Sequence, residues 1–496
     1  MKLIVSADPI IRAAARAVVV LPVFAGAAGA EPGPGVSELG LAQLVERSRF
    51  AADAGAHLLV GGRDNDPFEA ALIVGLGPRG EAGLDTLRRA MSTAIVAVGG
   101  FPRVVTPMAQ ACVSGSDAAE ESAAVVEGAL AGSYSYSGSR AAAPAAARTE
   151  QLTVLVPSEA QRAAAQRAVD VAAVVSSATA WARTLVNRAP NELTPLLLAD
   201  EARRMGAEYG LQVRVHDVDE LRAGGFGGIL AVGGGSVNPP CLIEVRHPGT
   251  NGRVVGLAGK GITFDSGGLL LKTKQAMADM RSDMAGAATM LAVAQAAARL
   301  GCATGVIAVS AAAENMPSGG SYRPGDIIRH RGGLTSEVLD TDAEGRITLA
   351  DALAYLSEQR PDVLVDAATL TYDVICALGN QIGGILGTDP ALVRALVDAG
   401  ARAGEPLWEL PLWAGYRRNI ESKVADLRND GGSYADAIHA ALFLGEFTKG
   451  IPWAHLDIAG TAFLERDGHD GPAGATGVGV RTLVRWLMLD TAAPAG

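Results

Sequence analysis

Carboxylates set in glycine-flanked loops are the chemical signal of this sequence. Asp265 follows Lys260 in GKGITFDSGG, Asp283 stands in RSDMAGAA, and Asp342 and Glu344 share DTDAEGR. Asp342 and Glu344 are two residues apart, so in extended backbone both side chains leave on the same side. Three or four carboxylates converging in a dry cleft repel one another unless cations neutralise them. Oxygen donors without thiolates suit hard or borderline divalent ions, and a carboxylate-bridged pair of ions is the geometry of two-metal hydrolysis. Spacing alone leaves open a plainer alternative of solvated loop acids and helix caps, with Asp283 capping the apolar helical stretch 284–300.

Other chemistries find little support. HExxH is absent, and Ser236 in GGGSVN lacks the following glycine of a nucleophile elbow. GLAGKG does not have the GxxxxGK(S/T) spacing of a phosphate-binding loop. None of the 7 histidines pair at metal-ligand spacing. The 4 cysteines (Cys112, Cys241, Cys302, Cys376) lie far apart with no CxxC pair, which reads as a reduced, intracellular protein. Lys plus Arg is 42 against 53 for Asp plus Glu, and a net charge of −11 makes a poor default partner for nucleic acid or anionic membrane.

The elements that must position these residues follow from hydrophobic pattern. The 496 residues, of which 49% are hydrophobic and 19% charged, supply ample buried core and exclude global disorder. In the first 150 residues, strand-like runs at 18–24, 70–76 and 95–98 alternate with helical stretches at 41–54 and 117–130, the pattern of a small α/β domain. Residues 17–30 behind Arg12 and Arg16 have the outline of a signal peptide, but 18–24 reads equally well as a buried strand. The segment 141–148, AAAPAAAR, is low-complexity and expected at the surface. A strand at 152–156 and a long connecting helix over 159–187 follow, with Pro190 beyond its end.

From about 190 onward, apolar runs at 253–258, 305–310, 363–368 and 453–458 each lead into a polar, glycine-rich cluster, with helices at 284–300, 347–358 and 392–403 between them. Strand, loop and helix in alternation imply a mixed, mostly parallel sheet with helices on both faces, whose sites form outside the carboxyl ends of the strands. The expected organisation is an N-terminal α/β domain (1–158), the connecting helix (159–187) and a larger C-terminal domain (188–490). No internal repeat is present, and no uninterrupted apolar run reaches the ~20 residues of a membrane span.

The segments GLAGKGITFDSGG, SDMAGAA, ENMPSGGSYRPGDII, DTDAEGRITLADAL, DAATLT and WAHLDIAGTA, in that order, resemble the signatures of the cytosolic leucine aminopeptidase family, the two-metal hexameric aminopeptidases. NRAPNELTP, ILAVGGGSVNPP and GATGVGVRTL fit the same family, while the first ~165 residues resemble its N-terminal domain loosely, mainly through GALAGSYSYSG. The resemblance implies that Lys260, Asp265, Asp283, Asp342 and Glu344 bind two divalent ions (manganese, zinc or magnesium), with Lys260 ligating as a neutral amine. It implies that Lys272 stabilises the oxyanion and that Arg346 holds a bicarbonate general base, so that no histidine is needed. It also implies peptide substrates, a homohexamer and a cytoplasmic location. Met280, Thr369 and Leu370 match positions around the first side chain. Two departures fall in the same region: Asp340 where the family usually has Asn, and Tyr372 where it usually has Gly. A tyrosine there is expected to fill the pocket and favour small first residues; if its ring turns away, a leucine preference survives. Two rival functions remain at this stage. One is a DNA-binding regulatory role known in some family members, which the acidic balance opposes and a mobility shift at ~150 mM salt would test. The other is a related hydrolase with a narrow dipeptide substrate.

Overall fold

The computed structural model describes residues 1–27, 29–140, 148–466 and 473–490. The expected surface stretch 141–148 therefore falls almost wholly outside the described residues. The chain divides into two compact units, Met1–Ser177 with Arg466–Ala473, and Ala178–Glu465 with Gly474–Gly496. The division falls inside the helix Glu159–Asn187.

In the first unit, Lys2–Ser6, Gln151–Leu155, Arg103–Thr106, Val18–Gly26 and Ala70–Pro78 lie side by side in parallel. His57–Gly61 closes the far edge antiparallel, and Gly29–Pro32 folds back on Val18–Gly26. Strand alternation sorts the central residues: Val18 and Val20 enter one core with Leu72 and Val74, while Val19 and Leu21 enter another with Ala71 and Ile73. Within the segment with a signal-peptide outline, residues 18–24 are thus the buried part of the central strand Val18–Gly26. Two local expectations need correction. Residues 95–98 are not a strand but the end of the helix Leu84–Ala97, because Leu87, Met91, Ala94 and Ile95 recur at helical spacing on its buried side. The helix expected over 41–54 is only Ala42–Arg47, and Arg49 and Ala52 beyond it adopt φ of 53° and 59°.

The second unit is built on an eight-stranded sheet in the order Leu407–Glu409, Gly383–Gly387, Trp453–Asp457, Val363–Ala368, Val254–Asp265, Gly305–Asn315, Cys241–His247, Gln212–His216. The four strands from Trp453–Asp457 to Gly305–Asn315 are parallel, with antiparallel neighbours on either side. Helix Glu344–Glu358 packs on the face reached by Ala258, joining it through Leu349 and Leu353. Helix Ala285–Leu300 packs on the opposite face, at Gly259. A Cβ on Gly259 would stand 2.6 Å from the Ala287 Cα, and one on Gly286 would meet the Ala367 carbonyl oxygen. Helix and sheet therefore touch backbone to backbone, which only glycine permits. Among the described residues one helix, Glu159–Asn187, is long and apolar enough to cross a membrane by length and composition, and 50% of its apolar window is buried.

Candidate metal centre

Parallel strands share a direction, so their carboxyl ends gather along one edge of the sheet. There Asp265 ends Val254–Asp265, Asn315 ends the strand paired with it, Thr369 follows Val363–Ala368, and Asp457 ends the next strand. Into this edge come the 3-10 turn Met280–Met284 with Asp283, and the start of helix Glu344–Glu358 with the loop before it. Asp283 is not the helix cap that its position allows, since no side chain caps Ala285–Leu300.

The acids converge. Asp265, Asp342 and Glu344 each present a carboxylate oxygen, and these atoms lie within 4.8 Å of one another. Lys260 Nζ stands 2.7 Å from Asp283 Oδ1 and 2.7 Å from Glu344 Oε1, and donates to the Thr369 carbonyl at 2.9 Å. Lys272 Nζ stands 2.8 Å from Asp265 Oδ2 and 2.6 Å from Asp342 Oδ1. The Thr369 hydroxyl donates to Asp283 Oδ1 at 2.7 Å.

Burial makes this concentration of charge expensive. Burial and the Asp265 and Glu344 charges, opposed by Lys272, push the Asp342 carboxyl up to about 7. Burial likewise raises Asp265 and Asp283 above the usual carboxylate range. Burial alone would lower the pKa of both lysines, but Asp283, Glu344 and Asp265 outweigh it at Lys260, and Asp265 and Glu344 lead the opposition at Lys272. Two buried oxygens, Asp283 Oδ2 and Glu344 Oε2, have no hydrogen-bond donor. Orphaned buried acceptors of this kind ordinarily cost free energy, and a divalent cation satisfies them. Clustered carboxylates, two orphaned oxygens and an amine that can ligate once deprotonated are a donor set that fits divalent ions.

A surrounding frame fixes these groups, and sequence spacing did not reveal it. Asn315 Nδ2 donates to Asp265 Oδ1 at 2.8 Å and to the Thr341 carbonyl at 2.9 Å, and the Tyr322 hydroxyl reaches the same carbonyl at 2.7 Å. The Thr341 hydroxyl donates to the Gly267 carbonyl at 2.7 Å, tying the two acidic loops together. Asn429 follows the short strand Leu427–Arg428, which pairs with Thr335–Glu337 and so lies beside the acidic loop. Its Oδ1 accepts from Leu339 N at 2.8 Å and Asp340 N at 3.3 Å; its Nδ2 donates to the Asp340 carbonyl at 2.5 Å. Such partners, some 90 residues apart, carry no local pattern.

The remaining expected residues fall in four groups. Asp340 accepts from the Asp342 backbone N at 2.7 Å, shaping the loop that carries Asp342. Leu370 N donates to Asp457 Oδ1 at 3.3 Å and the Thr371 hydroxyl to Asp457 Oδ2 at 2.7 Å, so Asp457 anchors the segment after Thr369. Met280 is part-buried at the start of the turn that bears Asp283, and Tyr372, 75% exposed, opens helix Tyr372–Leu378. Arg346 is 1% exposed and engaged by the chain itself: Nη1 donates to the Asn429 carbonyl at 2.9 Å, and Nη2 to Asp436 Oδ1 and Oδ2 at 2.7 and 2.9 Å. The seat expected for bicarbonate thus already faces a carboxylate.

Comparison with known proteins points to one family. Residues 180–484 match the model of the cytosol aminopeptidase family catalytic domain, and residues 20–143 match that family's N-terminal domain. A probable cytosol aminopeptidase of Roseiflexus castenholzii is 41% identical over 457 residues, covering 90% of this chain and 92% of its own. One from Streptomyces griseus is 41% identical over 443 residues, covering 84% and 83%. Among solved structures, the bottromycin maturation enzyme BotP in complex with Mn is similar with a TM-score of 0.86 and 38% identity, covering 96% of this chain and 100% of that one.

Proposed function

The chain belongs to the cytosol aminopeptidase family and is a metallo-exopeptidase of the leucyl aminopeptidase type, and from that membership we propose how its own residues divide the work of releasing the first residue of a peptide. Lys260, Asp265, Asp283, Asp342 and Glu344 would hold two divalent ions; manganese, as in the similar BotP structure, zinc and magnesium all suit the donors. Bound there, such ions supply Lewis acidity to the attacking water and to the scissile carbonyl, and a seat for the free α-amine.

The protein's part is placement and charge. Lys272, its side chain 14% exposed, keeps an ammonium at the rim of the acidic cluster, where it can meet the oxygen that becomes negative in the tetrahedral intermediate. Thr369 and Leu370, held by Asp283 and Asp457, present backbone beside the cluster, and Met280 and Tyr372 flank the space for the first side chain. Arg346 matches the arginine that holds a bicarbonate general base in the family, and here its Nη2 holds the Asp436 carboxylate. Assembly as a homohexamer in the cytoplasm belongs to the same reading.

The observation that carries the proposal is the convergence of Asp265, Asp342 and Glu344 at the carboxyl edge of the parallel strands, with Lys260 and Lys272 between the acids. Measuring metal content together with hydrolysis of a series of aminoacyl amides tests it. Two ions per chain and amide hydrolysis lost with them are expected; a metal-stripped protein that still cleaves at full rate overturns it.

A further inference from the structure

We propose that Asp436 is the general base of this hydrolysis, a carboxylate of the chain standing on Arg346 where an exogenous bicarbonate would otherwise be needed. The inference rests on the aminopeptidase reading and changes who supplies the base.

The geometry is specific. Asp436 is the first residue of helix Asp436–Gly445, and it follows Ala435, whose φ of 60° lies in the left-handed region. Its backbone N donates to Asp373 Oδ2 at 2.6 Å, which pins it against the segment that continues from Thr369 and Leu370. Both carboxylate oxygens accept from Arg346 Nη2, at 2.7 and 2.9 Å. Arg346 is itself fixed, one residue beyond Gly345 and two beyond Glu344, with Nη1 on the Asn429 carbonyl. The guanidinium is 1% exposed while the Asp436 side chain is 30% exposed, so the carboxylate keeps an open side.

Two consequences follow from charge. A guanidinium carries a single positive charge, and the Asp436 carboxylate already balances it. A bicarbonate arriving on the guanidinium, whose Nε has no partner among the described residues, would meet like charge in the Asp436 carboxylate. A carboxylate held by a guanidinium also has free lone pairs, which is what accepting a proton requires. In the reaction, Asp436 takes one proton from the attacking water as the water oxygen bonds to the scissile carbonyl carbon. It passes that proton to the amine nitrogen as the carbon–nitrogen bond breaks. The water is thereby divided between the carboxyl group of the released residue and the amino group of the shortened peptide.

The test uses the full-length, Mn-loaded protein in buffer freed of carbon dioxide. Hydrolysis of leucinamide and alaninamide by the wild type should proceed at full rate, with kcat/KM changing less than about twofold on adding bicarbonate. Asp436→Gly and the isosteric Asp436→Asn should each lose about 10²–10³ in kcat, the scale of a general base, while the circular dichroism spectrum and the bound Mn stay those of the wild type. Bicarbonate or formate should restore part of the loss to Asp436→Gly, whose seat is open, and none to Asp436→Asn. A second readout needs no turnover: the ¹³C signal of labelled bicarbonate should broaden with Asp436→Gly and not with the wild type.

The proposal is overturned if the wild type stalls without carbon dioxide and recovers with bicarbonate. It is equally overturned if both variants keep wild-type kcat in carbon-dioxide-free buffer, or if wild type and Asp436→Gly bind bicarbonate alike. Absence of any amide hydrolysis by the Mn-loaded wild type would instead sink the aminopeptidase reading, and the bicarbonate-binding arm would still judge the seat.

Discussion

Asn429→Ala should loosen the metal centre without touching it. The Asn429 side chain, 0% exposed, makes two short bonds to the acidic loop, from Nδ2 to the Asp340 carbonyl at 2.5 Å and to Oδ1 from Leu339 N at 2.8 Å. A longer one comes from Asp340 N at 3.3 Å. The short pair is worth ~0.5–1.5 kcal/mol per bond, and truncation also strands backbone groups in a dry place, so the total is about 2–4 kcal/mol. For a large unit at about 2 °C per kcal/mol, melting should fall by roughly 4–8 °C. Because the loop carries Asp342, affinity for Mn should weaken about 10–100-fold, as when a residue orienting a ligand is removed. Calorimetric melting and Mn titration of the same preparation measure both effects. A variant that binds Mn and melts like the wild type would refute the claim that Asn429 holds the loop. A melting drop with unchanged Mn affinity would show that the loop keeps its shape by itself.

Further outcomes are open to simple measurement. Asp342→Ala or Glu344→Ala should abolish hydrolysis and lower the bound metal while leaving the circular dichroism spectrum intact; near wild-type kcat with full metal would contradict the ligand assignment. Chelation should remove activity and Mn should restore it, with the loaded protein about 2.7 kcal/mol more stable at a hundredfold excess over Kd. Tyr372 is 75% exposed, so its ring stands in solvent and Tyr372→Gly should change kcat/KM for Leu- and Met-amides relative to Ala-amide by less than about twofold; a gain above tenfold, the size of a relieved methylene misfit at ~1–3 kcal/mol, would show that the ring fills the pocket. Burial pushes the Cys241 thiol up to about 12, so at pH 8 only about one molecule in ten thousand carries the thiolate and native-state alkylation should be negligible until the protein unfolds.

The sequence was most legible where a signal is local. The acids and lysines stand in distinctive loops, and the strand Val363–Ala368 and the helix Glu159–Asn187 have the limits that their patterns predict. It was least legible where a neighbour overrides the pattern. Gly259 and Gly261 look like a turn after a strand at 253–258, yet Val254–Asp265 runs on through them, because helix Ala285–Leu300 leaves no room for a side chain at Gly259 and strand Gly305–Asn315 leaves none at Gly261. Asn315, Asn429 and Asp436 act through partners 50 to 90 residues away, and no spacing rule reaches so far.

The glycine seams also bear on how this enzyme could be redirected. A Cβ on Gly345 would stand 2.6 Å from the Lys260 side chain, and Gly259 and Gly286 are as confined. The floor beneath the acids is therefore closed to stepwise change, since almost any first replacement collides with backbone at Gly259 and Gly286, or with the Lys260 and Leu370 side chains at Gly345, before it can be useful. Freedom lies at the rim, at Tyr372 with 75% exposure and at the exposed Leu269–Leu271 run, where new side chains meet solvent. A laboratory library seeking new peptide preferences should spend its diversity there, and the hydrolytic chemistry should travel unchanged beneath it.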